Sequence, residues 1–212
     1  MATKEKIINV TNIEQAAKTM NVIIEGDSDL VLNKMDDVTA RELADIRKDK
    51  KKNVLEEVNE WEKIITSVHW LYGKPDVFSE KTLQECLKNN KPCITAFGLM
   101  KSFCEAVVRN SIDKYATKLK ATMNVTTSNG LIPIEFTEHY LDEKLMSPQR
   151  GKPVLSRLHR FTGWSAVIPV SFLENSYSQE QLVNIINLAG FGGGIGSGRT
   201  SGYGRYHVIG LE

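Results

Sequence analysis

Val154-Leu-Ser-Arg-Leu-His-Arg-Phe161, Thr162-Gly163 and Trp164-Ser-Ala-Val-Ile-Pro-Val-Ser-Phe-Leu173 decide the fold class. The first run alternates apolar and polar residues, the period of a strand with two different faces. Val154, Ser156, Leu158 and Arg160 share one face. Leu155, Arg157, His159 and Phe161 share the other. Thr162-Gly163 reads as a tight turn, and the run from Trp164 as the returning strand of a hairpin. Pro169 lacks a backbone N–H, so its strand belongs at an edge or beside a bulge.

Downstream, Ser178-Gln-Glu-Gln181 is a helix start in which Ser178 caps and Gln181 completes a capping box. Leu182, Val183, Ile185, Ile186 and Leu188 form its buried stripe, and Ala189-Gly190 closes it. A glycine-rich segment then leads into a last strand, Arg205-Tyr-His-Val-Ile209. Upstream, Asn21-Val-Ile-Ile-Glu25 is a β-branched strand ended by a turn at Gly26-Asp-Ser-Asp29. Leu30 to Met35 begins as a second extended piece. Residues 38–68 have helical spacing, interrupted by the polar run Arg47-Lys-Asp-Lys-Lys-Lys52, a solvated face or a phosphate-contacting finger. Residues 91–115 give an amphipathic helix capped at Thr95. Its apolar stripe is Phe97, Met100, Phe103, Cys104, Val107 and Val108, which reads as core. Residues 121–138 are extended, with Ser128-Asn-Gly130 as the turn of a second hairpin. Residues 137–151 are polar and read as a loop. Without its insertions the chain reduces to β-α-β-β-α-β. The expected class is α+β: a ferredoxin-like (RRM-like) antiparallel sheet with two helices, plus a helical insertion at about 38–70, in one domain over 1–212.

The composition, 41% hydrophobic and 25% charged, is globular and excludes collagen-like, disordered and disulfide-framework proteins. No apolar run approaches the ~20 residues of a membrane span, and Met-Ala-Thr-Lys-Glu-Lys leads into no secretory core. The expectation is a cytoplasmic protein with no membrane partner. The net charge of +1 excludes a general polycation. Six basic against three acidic residues from Arg150 to Glu212 nevertheless leave that third positive, and five of the six cations are arginine, the better phosphate fork. Cys86, Cys93 and Cys104 contain no C-x-x-C pair and read as free thiols in a reducing compartment.

Seven of the thirteen residues from Gly192 to Gly204 are glycine. A phosphate loop requires G-x-x-x-x-G-K-[ST], but both Gly-Lys pairs, at Gly73 and Gly151, are followed by proline. The dinucleotide pattern fails too, since Arg199 stands where its last glycine belongs. Those loops run from strand to helix, whereas this one runs from helix to strand. Two readings remain. One is a closely packed or mobile connection. The other is a shelf of backbone amides at Gly194, Gly196 and Gly198, with Arg199 and Arg205 beside it, tracking a sugar-phosphate chain.

The stretch Ala189-Gly-Phe-Gly-Gly-Gly-Ile-Gly-Ser-Gly-Arg-Thr-Ser-Gly-Tyr-Gly-Arg-Tyr-His-Val208 resembles the C-terminal signature of the RAMP superfamily. In those RNA-binding ferredoxin-like proteins, which include backbone subunits of CRISPR effector complexes, a G-G-x-x-x-G-R-x-x-G-x-G loop precedes the last strand. Val154 to Gly190 and residues 23–35 also look like small bacteriophage proteins of this fold. The resemblance covers 154–208 and, less specifically, 22–36; it is absent over 38–90 and 110–150. It implies a sequence-tolerant grip on single-stranded nucleic acid by subunits lying side by side as a homo-oligomer or filament.

Candidate contacts follow from the residues. Arg157, His159 and Phe161, with Trp164 across the turn, would interleave cations and rings on a sheet face, as base-stacking platforms do. Alternation does not choose between the faces, so Arg160 is an equal candidate. Arg150 and Lys152 lie in the preceding loop. Tyr203 stacks a base or covers the loop. No metal-ligand spacing appears, no cofactor is implied, and no catalytic residue is assigned. Three readings stand: a non-catalytic phage-encoded binder of single-stranded DNA or RNA in the bacterial host cytoplasm; an inhibitor of a host defence complex by mimicry; and a metal-independent endoribonuclease. The last would need a histidine base, and His159 with His207 could supply a pair if their strands adjoin.

Overall fold

A computed structural model describes residues 17–47, 59–146 and 154–212. Among these, seven strands form one antiparallel sheet and three form a second. The strands are β1 (Ala17–Gly26), β2 (Leu30–Leu32), β3 (His69–Trp70), β4 (Pro92–Thr95), β5 (Met123–Val125), β6 (Leu131–Glu135), β7 (Glu138–Met146), β8 (Val154–Thr162), β9 (Ser165–Leu173) and β10 (Tyr206–Leu211). The helices are α1 (Asp37–Arg47), α2 (Glu60–Thr66), α3 (Glu80–Asn89), α4 (Ala96–Arg109), α5 (Thr117–Thr122) and α6 (Gln179–Gly192). The large sheet runs β10-β1-β9-β6-β4-β3, with β5 also on β9. Its core is therefore β10-β1-β9-β5/β6, with α4 leading from β1 toward β5 and α6 from β9 to β10. This is the ferredoxin-like arrangement, and the expected α+β class holds.

Alternation places Met20, Val22 and Ile24 of β1 and Ala166, Ile168, Val170 and Phe172 of β9 on one face. There they meet Leu99, Phe103 and Val107 of α4 and Leu182, Ile185 and Ile186 of α6 in one buried cluster. Burying each such side chain contributes about 1.5–3 kcal/mol. The local signals are as the sequence implies. Thr95 caps α4 by accepting from the Gly98 amide at 3.0 Å. Ser178 and Gln181 form the complete capping box of α6.

Five expectations are corrected. β8 and β9 are not a hairpin. β9 joins β1 in the large sheet, while β8 is the centre of the small one, β2-β8-β7. The Thr162-Gly163 turn is a corner between sheets, matched by a second corner at Gly26–Asp29. The two are clasped by Trp164, whose indole donates to the Ser28 carbonyl at 2.7 Å. Gly26 is required there, since a Cβ would stand 2.1 Å from the Trp164 Nε1. Nor do β5 and β6 form a hairpin, because both pair with β9, one after the other along its length. Pro169, expected at an edge or beside a bulge, sits instead on this central strand where β5 ends, and its carbonyl accepts from the Thr126 amide at 2.9 Å. The polar stretch read as a loop is β7, an edge strand whose polarity suits one solvated side. Finally, the stripe assigned to the α4 core is split: Phe97 is 80% and Val108 49% exposed.

The helical insertion is present as α1 and α2, and the polar run from Lys48 onward lies outside the described residues. α3, capped by Ser79, and the short β3 and β4 are elements that the sequence reading does not contain.

Candidate nucleic-acid interface

The glycine loop follows α6 and closes the free edge of the small sheet. Ser197 donates its amide to the Val31 carbonyl, and Gly204 to that of Asp29, each at 2.8 Å. β2 thereby gains partners on the side that β8 leaves open. Ile195 donates to the Gly204 carbonyl at 2.9 Å and its side chain is buried as an anchor. The path demands glycine at particular points. Gly204 has φ +69°, and a Cβ there would stand 1.9 Å from the Ile195 carbonyl oxygen. Gly196 has φ +76°, with the Val31 oxygen 2.5 Å from a would-be Cβ. The corner at Gly26–Asp29 is laced to the same loop: Ser28 Oγ donates to the Gly202 carbonyl at 2.8 Å and accepts from the Arg205 amide at 2.9 Å. The two stretches that carry the family resemblance thus interlock.

The expected shelf of backbone amides is therefore partly closed. The amides of Ile195, Ser197 and Gly204 bond internally, and Gly194 is buried. Gly196, Gly198 and Gly202 remain exposed. Arg199 bonds Glu105 of α4 at 3.1 Å, and Arg205 donates to the Phe191 carbonyl in the last turn of α6 at 2.8 Å. Both arginines thus tie the loop to helices before they meet any ligand.

On the face of β8 that holds Arg157, His159 and Phe161 the last two are fully buried, and on the other face Leu158 is buried while Arg160 is half-buried. Phe161 and Trp164 are fully buried core side chains. His159 is also fully buried, and its ring links two elements. Its Nε2 lies 2.8 Å from the Ile64 carbonyl of α2, and its Nδ1 lies 2.9 Å from the Nε2 of His139 on β7. A carbonyl only accepts, so the neutral His159 carries its proton on Nε2, and Nδ1 accepts from His139. Loss of water holds both imidazoles down to about 4, with His159 adding to the effect on His139. Arg157 lies at the end of this face, bonded to Glu143 at 2.8 Å and to Glu60 of α2 at 3.0 Å. His159, Phe161 and Trp164 are therefore removed from the candidate contacts. His159 and His207 lie on strands of different sheets and do not meet; His207 pairs with Asp27 at 2.7 Å. Arg150 and Lys152 lie outside the described residues.

Arg160, on the other face, has a different setting. It stands opposite Tyr140 across the β7–β8 ladder. Its guanidinium carbon lies 5.1 Å from the Tyr140 ring centre and 5.2 Å from that of Tyr203, which reaches over from the glycine loop. Asp29 fixes it from the corner, 2.7 Å from Nε, and also accepts from the Tyr140 hydroxyl at 3.2 Å. The Asp29 hydrogen bond raises the Arg160 pKa, so this cation is permanent. Partial loss of water and the Asp29 charge raise that of Tyr140. Tyr203 packs on Gly198, where a Cβ would stand 2.8 Å from its ring. The result is a tier of two rings and a guanidinium beside three exposed glycines. Sequence reasoning missed Tyr140 because its stretch read as a loop; the alternation Glu138, Tyr140, Asp142 was the available signal.

The open face of the large sheet differs from a base-stacking platform. Its outward residues on β9 and β10 include Val167, His207, Ile209 and Leu211, with no Phe, Tyr or Trp among them and the one imidazole paired with Asp27. All three cysteines are buried free thiols, and burial pushes Cys93 up to about 11. Among the described residues no cluster of His, Cys, Asp or Glu is placed to hold a metal ion, and no helix is long and apolar enough to cross a membrane.

No family model and no curated protein matches the chain. Among solved structures it is similar to a chain in the cryo-EM structure of the Type III-B Cmr-beta bound to cognate target RNA. The identity is 9% and the TM-score 0.49, over 94% of this chain and 61% of that one. The chain thus spans less than two thirds of that neighbour's length. It is also similar to Cmr6 from Pyrococcus furiosus, at 12% identity and TM-score 0.38, over 92% of this chain and 99% of that one.

Proposed function

We propose that this protein is a non-catalytic, sequence-tolerant binder of single-stranded nucleic acid. It is phage-encoded, acts in the bacterial host cytoplasm, and assembles side by side along its strand. The observation that carries the reading is the Tyr140–Arg160–Tyr203 tier beside Gly196, Gly198 and Gly202. Aromatic rings and a guanidinium plane stack any base, which gives grip without sequence preference. Bare glycines let a sugar-phosphate chain lie against the main chain. Of the histidines considered for a general base, His159 bonds His139 in the interior, where loss of water lowers both to about 4, so that pair is no neutral-pH base, and His207 stands apart from it beside Asp27.

The electrostatics set the expected strength. Asp29 and Asp142 lie 2.5 and 3.7 Å from Arg160 and largely offset its charge. One copy therefore attracts phosphate weakly, and stacking and neighbouring copies supply most of the affinity. The test is gel shift and fluorescence anisotropy with labelled single strands of rising length at low ionic strength. Occupancy should rise in steps with length, and Tyr140→Ala with Tyr203→Ala should weaken binding for every sequence. Product analysis with and without EDTA, repeated on His207→Ala, should show intact strands throughout. Absence of any binding at low salt overturns the reading.

A further inference from the structure

α4 is apolar on two sides, and the described residues cover one of them fully and the other only in part. Leu99, Phe103 and Val107 face the core. Phe97, Met100, Cys104 and Val108 line a groove of about 820 Å³ between α4 and α5. Phe97 and Val108 are 80% and 49% exposed at its two ends. Helices apolar on both sides are normally buried on both, and a large exposed apolar patch marks an interaction surface. The stripe at 97, 100, 104 and 108 has helical spacing and runs about 16 Å, three turns of an α-helix.

The rim supplies the second half of the argument. Residues 96–122 carry five basic and two acidic residues, for a charge of +3 against +1 for the whole chain. The groove's one carboxylate, Glu105, is held by Arg199 and Arg109 at 3.1 and 3.7 Å. Lys101 and Lys120 stand at the rim with no acidic partner among the described residues. Met100, Cys104, Val108 and Ala116 carry no ring, and the one ring in the lining, Phe97, stands alone at one end, so the groove lacks the paired rings that flank Arg160. A long apolar floor between unpaired cations fits an amphipathic helix whose apolar ridge is flanked by carboxylates.

We infer that the α4–α5 groove is a docking site for an acidic amphipathic helix of another protein. The surface adjoins the glycine loop through Glu105–Arg199, so such a partner would sit beside the proposed strand path. The site is independent of whether a strand is bound there.

The probe is a fluorescein-labelled peptide of about four helical turns, with leucines at i, i+3, i+4 and i+7 and glutamates elsewhere. A second peptide has lysine in place of glutamate. The acidic peptide should bind saturably and at least about tenfold more tightly than the basic one. Phe97→Glu, at an exposed position that leaves the core intact, should weaken binding about tenfold or more. Lys101→Glu with Lys120→Glu should reverse the preference between the peptides. Equal binding of both peptides, no binding, or binding unchanged by Phe97→Glu overturns the proposal. So does self-association of the protein alone that Phe97→Glu abolishes, which would give the groove to a second copy. Displacement of the acidic peptide by a single-stranded oligonucleotide would give it to nucleic acid and overturn it likewise. Loss of oligonucleotide binding in Tyr140→Ala with Tyr203→Ala, with peptide binding intact, separates this site from the proposed strand site.

Discussion

The two faces of β8 carry similar residue types and have opposite fates. On one face Phe161 and His159 are sealed against α2 and β7. On the other Arg160 stands half-buried among Tyr140, Tyr203 and Asp29. An arginine–aromatic alternation is therefore no guide to a binding face by itself. The face that receives the insertion is closed, and the face that receives the glycine loop keeps polar side chains at the surface. The first kind of residue should govern stability, the second kind binding.

The largest expected effect is on the sealed face. Phe161→Ala should destabilise the protein by about 3–5 kcal/mol, read by urea or thermal unfolding. Gly204→Ala comes next. Its Cβ collides with the Ile195 carbonyl at a positive φ, so a loss of roughly 2–4 kcal/mol is expected. Reduced proteolytic resistance of the loop would confirm that the damage is local.

The histidine pair makes a prediction in pH. His159 lies near 4 in the folded chain and at an ordinary 6.5 when unfolded. Between those values the unfolded chain binds more protons. Stability should therefore be full above about 6.5, fall as the pH drops toward 4, and level off below. For the fully buried His159 alone the loss is on the order of 3 kcal/mol. His159→Leu should flatten that dependence in unfolding midpoints measured across the window, and an unaltered slope counts against the buried neutral pair.

Smaller effects belong to the open face. Tyr140→Ala with Tyr203→Ala should change stability by less than about 1 kcal/mol while weakening strand binding by roughly 1–3 kcal/mol per lost stack. Arg199→Ala with Arg205→Ala should have the least effect. Each guanidinium already has a partner in Glu105 or the Phe191 carbonyl, so the salt slope should flatten by less than the ~1.4 expected for two free phosphate contacts on single strands.

The contrast also explains what the sequence revealed. Elements specified by neighbouring residues were legible: the Thr95 and Ser178 caps, the β1 run and the α6 stripe each rest on a few adjacent side chains. What depended on distant partners was not. Nothing local to Thr162-Gly163 says that Trp164 packs under Gly26 and sends the next strand into another sheet. The polar β7 needs β8 as its neighbour before its alternation means anything. Phe97 and Val108 share the spacing of Phe103 and Val107, so periodicity placed all four in the core, and only the position of the sheet divides them. The composition of the glycine loop is conspicuous, yet much of it serves the loop's own path: Gly194 and Gly204 close on neighbouring loop backbone, Gly196 passes Val31 of β2 and Gly198 lies under the Tyr203 ring.

The most direct measurement is the equilibrium binding of a labelled single-stranded oligonucleotide as a function of salt. It compares the unaltered protein with Tyr140→Ala/Tyr203→Ala and with Phe161→Leu as a core control. Binding at low ionic strength that the tyrosine pair reduces and the core change leaves alone is the predicted result. Full binding by the tyrosine variant, or no binding by the unaltered protein, contradicts a strand held on that tier.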